Sequence, residues 1–426
     1  MIKLLRYSLC YCLLSPIIYY IFPFSMIQAQ TESGLKNKLY KKLSYGVSGG
    51  AGCLIPGDVY GKNLIKSNGA SFYNINIQYR ALPNDSNVYD KVFGFPGLEA
   101  GIILCDYSRI KLRENSEGPF SGIGLMAGLY GSFNRDLANN GFWRIGYGMQ
   151  NGIGICSRPY SATNNYDNLI IGSRCSVYFG ANIYTGFMIS PQWEFTLSAG
   201  FKHFSNSALD RPNKGANSLD FMAGMRFYPE ENDNSKEGMG KKNYRLYFHD
   251  KDFIKHFFFD INAGWNLKTI MQEWLVNYEL PTTDPRYRSS DYKIYSALAV
   301  SAAAMYRYNR KFASGIGLDY VYTPYINDIK KADMERGAKG YEYNRHSLGI
   351  ALKHNVYYKS LSLGLSLGYY LKREMGALGV LLDKPYYETV GLKYYLPFIN
   401  NVYVGYNVKA HLLSADSMQF NIGMEI

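Results

Sequence analysis

The chain has 426 residues and a formal charge of +12, is 47% apolar and 16% aromatic, and carries 41 tyrosines and 42 glycines. Past the N-terminus no run approaches the roughly 20 apolar residues a spanning helix needs, and no Lys/Arg-rich stretch interleaved with aromatics marks a nucleic-acid surface, so the positive charge reads as facing anionic lipid headgroups. Aromatics and glycine in this density, with alternating polarity and no spanning helix, are the composition of an outer-membrane β-barrel; a secreted soluble β-protein is the competing reading.

Residues 1–29 join Lys3 and Arg6 to an apolar run and a small residue at Ala29. That is the pattern of a secretory signal peptide cut near Ala29 or Gln30, rather than of an N-terminal membrane helix. No lipid-attachment motif surrounds Cys10 or Cys12, and once the signal is removed Cys53, Cys105, Cys156 and Cys175 remain, without metal spacing. Cys156 and Cys175 flank one loop; they either pair in an oxidising compartment or stay as buried thiols.

From about residue 42 the chain breaks into alternating segments, predicted as strands at 42–53, 70–82, 92–106, 119–132, 141–156, 170–187, 191–205 and 217–228. Each is long enough for the about 9–11 residues a spanning strand requires. The connections after the first, third and fifth are long and polar, whereas the sixth and seventh are joined through little more than 189–192. Long loops at one end and short turns at the other are the barrel pattern, with the short turns periplasmic. Odd strands therefore run outward.

Residues 229–252 are densely charged and do not alternate, which predicts a linker. Eight further strands are predicted at 253–268, 291–307, 312–323, 343–358, 360–372, 385–396, 401–413 and 417–426, with the same rhythm of loops. Segment 217–227 also aligns with 416–426, sharing Ser, Phe, Gly and Met in register. This points either to a duplicated eight-strand unit or to convergence of ordinary barrel strands. The expected organisation is a signal over 1–29, an eight-strand unit over 30–228 with the site, a linker over 229–252, and a structural unit over 253–426. The fold expected is an all-β transmembrane barrel of about 16 strands. A single ring is slightly favoured over two tandem barrels, because one closure replaces two.

The chemistry concentrates in the hairpin 193–228. Trp193, Phe195, Leu197, Ala199 and Phe201 share one face, and continuing the alternation adds His203 and Ser205 to it. In a membrane barrel that apolar face meets lipid, where two polar side chains are costly unless paired or functional. Same-face neighbours two apart lie roughly 6–7 Å apart at the backbone, a gap that a serine and the imidazole activating it can close. The alternation on 402–412 instead turns His411 inward and leaves Ser414 on the opposite face, so the second half lacks this geometry. His249, His256, His346 and His354 show no shared metal spacing, and no cofactor is called for.

Phe201-Lys202-His203-Phe204-Ser205-Asn206, followed by Arg211-Pro212-Asn213-Lys214-Gly215-Ala216-Asn217, resembles the motif of the outer-membrane lipid A 3-O-deacylases, the PagL-type acyloxyacyl hydrolases. The resemblance is specific over about 195–228, looser over 42–228, and general beyond. It implies an integral outer-membrane enzyme of a Gram-negative bacterium that hydrolyses an ester-linked acyl chain of lipid A. By it, His203 is the general base, Ser205 the nucleophile, and Asn206 a contributor to the oxyanion hole. The family's glutamate falls on Asn217, an amide in place of an acid; Asp220, the nearest carboxylate, has interior parity. The implied partner is lipopolysaccharide, its phosphates met by Arg211 and Lys214 unless these are solvated loop charges. The reading from another class is a non-catalytic barrel, structural or a small-solute channel; a soluble lipase is a distant third.

Overall fold

The computed structural model describes residues 42–57, 59–81, 87–113, 119–229, 250–281, 283–285, 287, 292–381, 385–412 and 414–426. The expected signal peptide and all but the ends of the charged segment 229–252 lie outside the described residues. The chain divides into two compact units, each described by itself.

In the first unit the strands are β1 (Leu43–Ile55), β2 (Ile65–Ser67), β3 (Gly69–Arg80), β4 (Gly97–Tyr107), β5 (Lys111–Leu112), β6 (Gly124–Asn139), β7 (Trp143–Cys156), β8 (Cys175–Ser190), β9 (Trp193–Ser205) and β10 (Ala216–Phe227). The eight long ones close in the order β1-β10-β9-β8-β7-β6-β4-β3, and the short β2 and β5 pair with each other in the loops. Closure is made by β10 returning to β1, from Tyr45↔Phe227 to Ile55↔Asn217.

The second unit contains β11 (His256–Lys268), β12 (Tyr295–Arg307), β13 (Phe312–Tyr322), β14 (His346–Tyr358), β15 (Leu361–Lys372), β16 (Tyr386–Tyr395), β17 (Val402–His411) and β18 (Ser414–Glu425). They close in sequence order, β18 pairing back on β11 from Asp260↔Glu425 to Leu267↔Met418. Among the described residues the long strands thus form two closed eight-strand rings, one in each unit. Closing at eight satisfies the N–H and C=O row on each terminal strand, so no edge is left to extend a larger ring.

Among the described residues, short helices sit in connections: α1 (Val59–Leu64), α2 (Val88–Val92), α3 (Met271–Glu279), α4 (Ile326–Glu335) and α5 (Gly376–Leu381). No described helix is long and apolar enough to cross a membrane. The predicted start of β4 at 92 is five residues early, because the Asn87 side chain accepts from the Tyr89 N–H at 2.9 Å and starts α2 there. The predicted end of β6 at 132 is early for another reason. Asn134 and Asp136 look like turn residues, yet they are buried inside the ring.

Polarity in both rings is inverted relative to a soluble protein. Along β12, Tyr295, Ala297, Ala299, Ser301, Ala303 and Met305 are buried while the intervening Leu298 and Val300 are exposed. The first ring encloses ion pairs in layers: Arg226 with Glu99 at 2.9 Å, Arg144 with Asp136 at 3.2 Å and with Glu194, Arg80 with Asp136 at 2.6 Å, and Lys202 with Asp220. An apolar outer belt around a hydrogen-bonded polar interior is what a barrel surrounded by hydrocarbon requires. Cys53, Cys105, Cys156 and Cys175 form no disulfide, so the alternative of a Cys156–Cys175 bridge is not the arrangement formed.

Candidate active site

The hairpin of β9 and β10 sets Asn217 directly opposite His203 across the ladder. The His203 Nδ1 lies 2.6 Å from Asn217 Oδ1. An amide oxygen only accepts, so Nδ1 carries the proton and Nε2 is left as the basic nitrogen. Phe201, two residues before His203, stacks on the imidazole with centroids 6.5 Å apart and planes 11° from parallel. The ring is therefore held by an amide on one side and an aromatic on the other.

The glycine at 215 makes the space, whereas Gly57 only borders it. Gly215 has φ +78, and a Cβ there would come within 2.8 Å of His203 Cε1. A side chain at Gly57 would meet Asn217 Nδ2 at 3.4 Å. At Gly215 both the left-handed backbone and the close approach exclude a larger residue.

Ser205 shares the outward parity of His203 and is 5% exposed. Its neighbour across the ladder on β8 is Val177, and that of His203 is Phe179. Asn206, also buried, donates from Nδ2 to Ser173 Oγ at 3.2 Å, and Ser173 Oγ in turn donates to the Cys175 carbonyl at 2.6 Å. Ser173 escapes a reading of the sequence because it lies on a different loop.

Arg211 and Lys214 both lie half-buried in the connection 206–215. The backbone N–H groups of Lys214 and Gly215 donate to the carbonyls of Leu169 and Ile170, at 3.2 and 3.0 Å. That second loop is itself stiffened by Asn165, whose side chain bonds the Gly122, Arg158 and Pro159 carbonyls, and by Asn168, whose Oδ1 accepts from Ile170 and Ile171. Leu169, Ile170 and Ile171 are buried here, which explains why β8 starts at 175 and not at the predicted 170.

Asp220 does not join the group. It faces the interior and pairs with Lys202, another residue of β9 that points inward. In the second unit His411 is buried and bonded through Nε2 to the Tyr370 hydroxyl at 2.9 Å, while Ser414 is exposed. Ser414 does not continue the strand as the alternation assumed: it opens β18 and pairs with His411 across the ladder.

The structure also brings together Ser314 and His354, register partners on β13 and β14, with Oγ and Nδ1 2.9 Å apart. They sit beside the short turns, and His354 shows no third polar partner among the described residues. Among the described residues no three His, Cys, Asp or Glu gather as metal ligands.

Two family models match the chain. One, described as lipid A 3-O-deacylase (PagL), matches residues 141–226 and so includes His203, Ser205 and Asn217. The other, described as acyloxyacyl hydrolase, C-terminal domain, matches residues 256–426. Comparison with curated proteins gave no match. Among solved structures, the outer membrane enzyme PagL is 16% identical, over 42% of this chain and 97% of that one, with a TM-score of 0.26. Neisserial surface protein A is 11% identical over 44% and 96%, also at 0.26, and a Rhodopseudomonas blastica porin triple mutant 10% over 90% and 99%, at 0.16. Scores this low establish no shared fold by themselves.

Proposed function

Because family models of PagL type match residues 141–226 and 256–426, we propose that the chain is an integral outer-membrane ester hydrolase that removes an ester-linked acyl chain from lipid A in the outer leaflet. The first unit carries the reaction and the second is a structural barrel in tandem with it. The observation that carries the reading is the 2.6 Å contact from His203 Nδ1 to Asn217 Oδ1, on the lipid-facing side of a barrel. It fixes the tautomer in which Nε2 is free of a proton and on the same face as Ser205.

In this mechanism His203 Nε2 takes the Ser205 hydroxyl proton as Oγ attacks the ester carbonyl. The oxyanion is met at Asn206. The bond to the sugar oxygen then breaks, His203 returns its proton to that oxygen, and water repeats the sequence to release the fatty acid. A triad facing lipid suits a substrate that is itself a membrane lipid. Arg211 and Lys214 are the cations for its phosphates.

Asn217 orients His203 without the negative charge that stabilises imidazolium, which favours a slower enzyme than one with an acid there. The same amide is what supports the second reading, a non-catalytic barrel. Mass spectrometry of lipid A from a Gram-negative host expressing the chain decides between them. Loss of one hydroxyacyl chain with wild type, abolished by Ser205→Ala and by His203→Ala but retained by Ser314→Ala, is the expected result. Unmodified lipid A from a correctly inserted wild-type barrel would overturn the proposal.

A further inference from the structure

The second ring encloses a cavity of about 70 Å³, room for several waters or one small oxyanion. The space exists because the inward row of β12 is small, Ala297, Ala299, Ser301 and Ala303, and Ala299 and Ser301 line the cavity itself. Its charged lining is three lysines, Lys353, Lys393 and Lys409, against two aspartates, Asp260 and Asp319. Lys353 donates to Ser301 Oγ and Asp319 Oδ1, each at 2.6 Å, and has one N–H left. Lys393 bonds Asp260 and has two left. Lys409 Nζ lies 3.9 Å above the Tyr387 ring.

Asn421 also lines the cavity, is 6% exposed, and has neither its Oδ1 nor its Nδ2 hydrogen-bonded. A buried amide with both ends unsatisfied is unfavourable unless something in the cavity bonds it. The groups left over are the N–H bonds of Asn421, Lys353 and Lys393, which outnumber the two unsatisfied oxygens, Asn421 Oδ1 and Asn266 Oδ1, around a net positive charge. Their complement is an anion with several acceptor oxygens.

From this geometry we propose that the lumen of the second barrel is a binding site for a small oxyanion of the phosphate or carboxylate class, with Asn421, Lys353 and Lys393 as its donors. It is separate from the hydrolase site and stands whether or not that reading holds. The Asp260 and Asp319 carboxylates hold the lysines in place and limit the site to one compact anion.

The test uses the full chain refolded in detergent, with inorganic phosphate as the probe and chloride at equal ionic strength as the control. Phosphate is expected to raise the thermal unfolding midpoint saturably in wild type. Asn421→Leu, which removes the amide at similar volume, and Ala299→Leu, which fills the cavity, are expected to weaken the apparent affinity at least tenfold. Heat-modifiable migration verifies folding, and if Ala299→Leu fails to fold, Asn421→Leu carries the comparison. No response beyond chloride, or an undiminished response in the folded variants, overturns the site.

Discussion

At the scale of single residues, Asn217 decides how the candidate site works. Replacing a triad aspartate by asparagine costs about 10⁴-fold in a serine protease, so the reverse change should help here. Asn217→Glu is expected to raise the deacylation rate by about tenfold or more, measured as the rate of lipid A modification in isolated membranes; an unchanged rate would mean that His203 draws no charge stabilisation from this position. Gly215 makes the complementary case. Gly215→Ala places a methyl against the His203 ring in a left-handed backbone, at a cost of roughly 1–2 kcal/mol for the conformation alone. It should abolish activity while the barrel still migrates as a folded, heat-modifiable species. His203 and Ser205 were legible in the sequence because parity is local. Their partners, Asn217 by register and Ser173 through Asn206, were not equally so: the family motif pointed to Asn217, and nothing pointed to Ser173.

At the scale of strands, neighbouring residues of β10 make opposite predictions. Phe221 is 58% exposed on the outer face, so Phe221→Arg is expected to cost about 2–4 kcal/mol, read from denaturant unfolding in lipid vesicles. Asp220, one residue earlier, is buried with Lys202. Asp220→Leu strands a buried lysine and should cost about 3–5 kcal/mol, whereas Lys202→Met combined with Asp220→Leu recovers most of that. If both single variants behaved alike in lipid and in a soluble assay, the assignment of faces would be wrong. Strand count and faces could be read from the period-two alternation. Boundaries were missed where interior polarity imitates a turn, as at Asn134 and Asp136, or where a cap such as Asn87 redirects the chain.

For the whole molecule, two closed rings imply two folding units. Residues 250–426 alone are expected to fold in detergent as a heat-modifiable barrel without deacylase activity, and residues 30–228 alone to retain activity on lipid A. Aggregation of both fragments under conditions that refold the full chain would argue that neither ring closes by itself. What the sequence determined by itself is what depends on near neighbours: sixteen amphipathic strands, their inward and outward faces, the end at which loops are long, and the outward His203 and Ser205. Ring closure, the layered ion pairs and the cavity of the second barrel were decided by tertiary structure alone. Each depends on which strand lies beside which and in what register, and residues as far apart as Tyr45 and Phe227 meet only when the sheet curls far enough for its edges to pair.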